Sequence, residues 1–113
     1  MVKITKHSVI AYSNIPMAMV SMEFSDKTKI IVHPYRYFGH LIRNRRNIHF
    51  NYSREKVRGL YPDKKVDEKS LVDYFAEARK LLKEVSEKQD KPFDLDSLDL
   101  LVEELGKNQV PQY

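Results

Sequence analysis

Seven apolar residues recur at helical spacing between residues 67 and 89, and no other pattern in the chain restricts the fold as strongly. They follow one another at i, i+3, i+4 and i+7 with charged residues between them: Leu71, Tyr74, Phe75, Ala78, Leu81, Leu82 and Val85. This spacing places them on one helix face, which must be buried against another element. Asp67 is the predicted N-cap. A second amphipathic helix is predicted over residues 96–105, with Gly106 as its C-terminal cap.

The first third of the chain predicts the strands against which these helices pack. Residues 17–24 and 29–33 are short runs, the first apolar at about every second position and the second rich in β-branched residues. The polar loop between them predicts a hairpin, and residues 7–12 are a candidate third strand, with Pro16 in the connection. The sequence therefore predicts an α+β fold, in which a small N-terminal antiparallel sheet of two or three strands packs against C-terminal amphipathic helices.

The length of 113 residues predicts a single domain covering residues 1–113. It divides into mainly strands (1–33), a basic aromatic segment (34–62), a helical part (63–107) and a tail (108–113).

The basic aromatic segment is ambiguous in its secondary structure. Pro34 favours a helix that starts after it and runs over residues 35–46. Residues 47–52 either continue this helix or form a loop or a short strand. Ser53 is a candidate cap for a short segment that runs to residue 60.

Charge is distributed unevenly along the chain. Residues 33–62 contain seven Lys and Arg against one acidic residue, a net charge of +6 with His neutral, whereas residues 63–113 have a net charge of −4. Basic residues interleaved with aromatics favour nucleic acid, because they neutralise phosphates and stack on unpaired bases. The predicted contact residues are Arg36, Tyr37, Arg43, Arg45, Arg46, His49, Tyr52, Arg54 and Arg58. The alternative is that the arginines form a solvated face or pair with the acidic helices.

The sharpest chemical pattern is Arg43-Asn44-Arg45-Arg46-Asn47-Ile48-His49, an arginine followed by a polar residue and, six positions after the arginine, by a histidine. In this stretch the chain resembles HEPN ribonucleases, whose motif is Arg, a polar residue and, a few residues later, His. The resemblance implies that Arg43 holds the phosphate and that His49 handles the proton of the attacking 2′-hydroxyl without a metal. It covers seven residues. It also implies an all-helical fold, whereas the first third of this chain predicts strands.

Other classes of site lack their sequence signatures. The chain has no cysteine, which excludes disulfides and thiolate chemistry and fits a cytoplasmic location. His33, His40 and His49 do not have the spacing of a metal site, and three glycines do not form a phosphate loop, so no metal or cofactor is predicted. No apolar run approaches the roughly 20 residues that a membrane span needs, so no membrane association is predicted.

Together these patterns predict non-enzymatic binding of RNA or DNA, or of a host nucleoprotein complex. Short cysteine-free chains of mixed strands and helices without a catalytic signature are typical of proteins by which phages or other mobile elements block host systems. An inhibitor or regulator of that type is therefore the predicted form. The alternative function is a metal-independent ribonuclease that uses Arg43 and His49, and the third is a structural homo-oligomer.

Overall fold

Six strands and two helices make up the part of the chain that the computed structural model describes, which is residues 2–12, 17–53, 59–61 and 71–106. The strands are β1 (Ile4–Tyr12), β2 (Met17–Phe24), β3 (Lys29–His33), β4 (Phe38–Arg43), β5 (Arg46–Asn51) and β6 (Gly59–Tyr61). The helices are α1 (Val72–Ser86) and α2 (Leu95–Gly106).

The strands form one antiparallel sheet in which chain order and spatial order are the same, from β1 at one edge to β6 at the other. Each strand pairs with the next one, so the chain reverses direction at every connection. The β2–β3 and β4–β5 turns consequently lie at one end of the sheet, which we call the turn end. The last residue of β1, the first residue of β2 and the β3–β4 turn lie at the opposite end.

The two faces of the sheet differ in composition and burial. Burial alternates along β2, where Ala18, Val20, Met22 and Phe24 are buried and the residues between them are not. Cross-strand pairs such as Met22 with Ile30 and Leu41 with Ile48 continue this apolar face across the sheet. Because side chains alternate between faces, the intervening residues share the opposite face. We call the buried side the core face and the other side the outer face.

The helices cover the core face. Phe75 of α1 packs its ring edge-on against Phe50 of β5, with a centroid distance of 4.9 Å, and Tyr74 contacts Phe24 of β2 at 5.1 Å in the same way. The two helices are joined by the Arg79–Asp99 ion pair, whose N–O distance is 2.9 Å. Neither of these described helices has the length and apolarity needed to cross a membrane.

The start of α2 is fixed by Asp94, whose carboxylate accepts hydrogen bonds from the backbone N–H and the hydroxyl of Ser97. This is a capping interaction at a helix N-terminus. The helix therefore begins slightly before the predicted residue 96, and Gly106 is its last helical residue.

The predicted sheet of two or three strands is wrong, since the sheet has six strands and half of them lie in the basic aromatic segment. The helix predicted over residues 35–46 is also wrong, because β4 and the start of β5 occupy that stretch. In β4, Leu41 is buried on the core face while Phe38 and Ile42 are on the outer face, a division with period two. Of the short segment predicted to run to residue 60, residues 54–58 lie outside the described residues, and residues 59–60 belong to β6.

Several predicted elements are confirmed. Strands β2 and β3 have the predicted bounds, and β1 contains residues 7–12 but starts earlier, at Ile4. Both amphipathic helices are present, with the described part of the first beginning at Val72. The predicted cap Asp67, the connection with Pro16 and the tail 108–113 lie outside the described residues.

Candidate nucleic-acid interface

The nine predicted contact residues are not gathered on one surface. Arg54 and Arg58 lie outside the described residues. Arg36 and Tyr37 lie in the β3–β4 turn, whereas Arg43, Arg45 and Arg46 form the β4–β5 hairpin at the turn end. The six residues of β4 separate these two groups by about 20 Å.

Tyr52 and Tyr37 contribute to the core side of the structure. The side chain of Tyr52 is only 2% exposed, and burial raises the pKa of its phenol far above the usual value. Tyr37 is half-buried, has a φ of 61° and packs edge-on against Tyr52 with a centroid distance of 5.7 Å. Its carbonyl oxygen accepts a hydrogen bond from the Tyr52 N–H. The stacking role predicted for Tyr52 requires an open ring face, which this arrangement does not provide.

The β4–β5 hairpin turns through two residues, Asn44 and Arg45, whose φ angles are 53° and 64°. Positive φ at both central positions is the type I′ geometry that matches the twist of the flanking strands. Arg43 and Arg46 form the last strand pair before this turn. The Arg43 guanidinium lies over the Tyr74 ring at 5.3 Å, so it is held on the core side, while Arg45 and Arg46 are exposed.

The ribonuclease pair Arg43 and His49 is not brought together. Arg43 shares the core face with Leu41, whereas His49 pairs with His40 on the outer face. His49 is also three residues along β5 from Arg46, the partner of Arg43, which corresponds to about 10 Å. The HEPN resemblance implies a helical setting, but the motif spans a β-hairpin. The two side chains therefore cannot act on one phosphodiester in this structure.

A cluster of four rings lies on the outer face, and it consists of His33, Phe38, His40 and His49, which we call the ring cluster. His33 stacks on Phe38 with a centroid distance of 4.6 Å, and His40 meets His49 at 4.0 Å. The Nδ1 atom of His40 is 3.1 Å from Oδ1 of Asn47, which orients the imidazole. None of the four residues is buried, so part of every ring remains open to solvent.

Two histidines of the ring cluster, His33 and His49, have pKa values below the ordinary value of a histidine. Partial burial of the ring, followed by the electrostatic effects of His40 and Arg36, lowers the pKa of His33 below its ordinary value. The pKa of His49 is also lowered, first by partial desolvation of its ring and then by the electrostatic effect of His40. At neutral pH these two imidazoles are therefore flat, uncharged surfaces, and both gain positive charge under acidic conditions.

A groove of 680 Å³, which we call the turn groove, lies at the turn end between the β2–β3 and β4–β5 turns. Its lining includes four cationic side chains, Lys27, Lys29, Arg43 and Arg45, and two carboxylates, Glu23 and Asp26. The cations outnumber the acids, so the groove is an attractive site for anions.

The two carboxylates of the turn groove already have partners. Burial opposes the ionised form of Asp26, but hydrogen bonds from the Tyr74 hydroxyl and the Thr28 amide hold its pKa below the usual value. The carboxylate of Glu23 accepts from Lys6 at 3.1 Å, and this hydrogen bond lowers the pKa of Glu23. Part of the negative charge in the groove is therefore compensated within the protein.

Sequence reasoning missed three of the four rings in the cluster, because only His49 was among the predicted contacts. The period-two pattern of residues 38–43 and 46–51 is the signal that assigns Phe38, His40 and His49 to one face. Grouping them with His33 also requires the strand register. Among the described residues, no group of three or more His, Cys, Asp or Glu is placed to hold a metal ion.

Comparison of the chain with protein-family models, curated protein sequences and solved structures finds no match.

Proposed function

We propose that this protein is a non-enzymatic binding protein that holds single-stranded nucleic acid on the outer face of its sheet. The bases stack on the ring cluster, and the backbone phosphates lie along the cations of the turn groove. The observation that carries this proposal is that the ring cluster adjoins the part of the turn groove formed by Lys29 and Ile42, on an outer face that no described element covers.

The strand register supports this adjacency. Ile42 and Lys29 form an outer-face pair that lines the turn groove. His40 is two residues before Ile42 on β4, and so lies about 7 Å away on the same face. Successive nucleotides of a single strand can therefore meet rings and cations in turn.

The chemistry of the two regions fits an unpaired strand better than a duplex. Open aromatic faces stack on any unpaired base, and each such contact contributes about 1–3 kcal/mol. In a duplex the base faces are already stacked on each other, so the ring cluster would have no partner. The Lys and Arg side chains contribute a sequence-independent attraction that weakens with salt. The predicted role as a phage-type inhibitor or regulator of a host complex stays a prediction, and in such a complex the same surface would meet the nucleic-acid component.

Fluorescence anisotropy with labelled single-stranded RNA and DNA tests the proposal. With about three to five phosphates neutralised, the plot of log affinity against log salt should have a slope near −2 to −4. Phe38→Ala should weaken binding by about 1–3 kcal/mol with little change in this slope, because stacking releases few counterions. A duplex of equal length should bind more weakly at the same salt concentration.

Matched charge reversals separate the proposed surface from general attraction. Lys29→Glu and Lys83→Glu make the same charge change at exposed positions, the first beside the turn groove and the second on α1. Lys29→Glu should weaken binding strongly, whereas Lys83→Glu should have a small effect. Failure to bind either nucleic acid at about 50 mM salt, or equal losses from the two reversals, would refute the proposed surface.

A further inference from the structure

Strand β1 is an edge strand with an unusual composition. Within the described part of the chain it pairs with β2 and with no other strand, so its second side presents unpaired backbone N–H and C=O groups. Its beginning is protected by Lys6 and by an irregular register between Ile4 and Lys6. Residues 8–12, in contrast, contain no charge and no proline. Natural edge strands usually carry such protecting residues, because an unprotected edge pairs with another strand.

Exposed apolar side chains are concentrated at this same place. The large hydrophobic residues that are exposed in the described structure are Val9, Ile10 and Met17, at 38%, 46% and 40%. All three lie in the β1–β2 ribbon, at the end of the sheet away from the turn groove. Val9 points to the core face and Ile10 and Met17 to the outer face, as their pairing with Val20, Met19 and Tyr12 requires. At this end of the ribbon, exposed apolar side chains are thus present on both faces.

We propose that β1 pairs antiparallel with β1 of a second copy of this chain, so that two sheets join edge to edge in a symmetric dimer. A two-fold axis perpendicular to the sheet, passing near Val9 or Ile10, keeps both outer faces on one side and both helical layers on the other. The residue nearest the axis then lies opposite the same residue of the second copy. The exposed apolar side chains of the two β1–β2 ribbons pack against each other.

The distribution of charge is the reason for choosing a second copy as the partner. In this pairing Lys6 and its counterpart are at least six residues apart along the strands, or about 20 Å, which exceeds the Debye length of about 8 Å. The two turn grooves lie at opposite ends of the joined sheet, because the two-fold axis reverses the strand direction and each groove is at the turn end of its own sheet. The basic regions of a chain with net charge +4 therefore stay apart while its uncharged edge makes the contact. This inference does not rest on the proposed nucleic-acid binding.

The absence of cysteine from the chain makes cross-linking a specific test. Residues facing each other across antiparallel strands have Cβ atoms about 4.5–5.5 Å apart, close to the separation that a disulfide spans. Single-cysteine variants Val9→Cys and Ile10→Cys are oxidised, with Glu84→Cys on the exposed side of α1 as the control. At least one ribbon variant should form a disulfide-linked dimer rapidly, and the control should not. Equal cross-linking at all three positions would overturn the proposal.

Sedimentation equilibrium of the unmodified chain tests the same contact without cross-linking. The expected mass is that of a dimer, and Ile10→Lys should raise the dimer dissociation constant by at least about tenfold, because it places a charge in an apolar contact. Val9→Lys is the second variant, and circular dichroism and melting of both establish that the fold is retained. A chain that is monomeric at the highest concentrations reached, or a dimer indifferent to both folded Lys variants, contradicts pairing through β1.

Discussion

Replacing Gly39 by alanine is the substitution that most directly tests the arrangement of the central segment. Gly39 lies on the core face of β4 between Val32 of β3 and Phe50 of β5. A Cβ atom added there would be 2.5 Å from the Phe50 ring and closer still to the carbonyl oxygen of Ile31. The Phe50 ring cannot easily retreat, because Phe75 of α1 packs against it at a centroid distance of 4.9 Å and Tyr52 stacks on it at 6.2 Å. The backbone of Ile31 is fixed by the sheet.

The expected destabilisation follows from two opposing effects. Overpacking of a core costs about 1–3 kcal/mol, and contact with backbone favours the upper part of this range. Alanine recovers about 0.5–1 kcal/mol, because glycine loses more conformational freedom when it folds. We therefore expect Gly39→Ala to lower the free energy of unfolding by about 2 kcal/mol. For a two-state chain of 113 residues this corresponds to a decrease in Tm of about 8 °C.

Urea denaturation followed by circular dichroism measures this change, with Ser8→Ala on the exposed part of β1 as a control expected to stay within about 0.5 kcal/mol. If residues 35–46 were a helix, Gly39→Ala would instead stabilise the protein by about 1 kcal/mol. The strand and the helix thus predict changes of opposite sign in the free energy of unfolding. An unchanged or increased unfolding free energy would refute the packing of Gly39 against Phe50 and Ile31.

Three further predictions concern the core, the ring cluster and the ribonuclease motif. Leu82 is fully buried, so Leu82→Ala should lower the free energy of unfolding by about 2–5 kcal/mol. The control Lys83→Ala, at an exposed position, should change it by under about 0.5 kcal/mol. Equal Tm shifts for the two variants would contradict the assigned helix faces. Because the pKa values of His33 and His49 are lowered on folding, the unfolded chain binds these protons more tightly, and the free energy of unfolding should decrease as the pH falls through about 6.5. Over the same range the nucleic-acid affinity measured by anisotropy should rise, because His33 and His49 gain positive charge. If the double variant with glutamine at both positions kept the same pH profiles of stability and affinity, these histidines would be excluded as the cause. Since Arg43 and His49 lie on opposite faces of the sheet, the purified protein should not cleave single-stranded RNA in EDTA. Cleavage that is abolished by Arg43→Ala or His49→Ala would contradict this prediction and show that the motif is catalytic.

Local sequence patterns predicted the secondary structure correctly where only one kind of element fits the pattern. Strands β2 and β3 were predicted with their observed bounds, because a polar loop separates two short extended runs. The pattern around Leu82 fits a helix only, since seven apolar residues keep the 3.6-residue period over four turns. In both places local preference and tertiary burial require the same structure.

The central segment was predicted as a helix because Phe38, Leu41 and Ile42 have the i, i+3, i+4 spacing of one helix face. In the strand they are divided, with Leu41 on the core face and Phe38 and Ile42 on the outer face. The tertiary structure decides between helix and strand. The backbone of β3 pairs with residues 38–42 in the antiparallel sheet. The position of β4 that lies against the Phe50 ring is occupied by glycine, which leaves room for the ring. The sequence also could not assemble the ring cluster, whose members come from three strands and become neighbours only through cross-strand register. Composition alone identified the basic and aromatic character of this part of the chain, but which side chains are open to a ligand depends on which face of the sheet the helices bury.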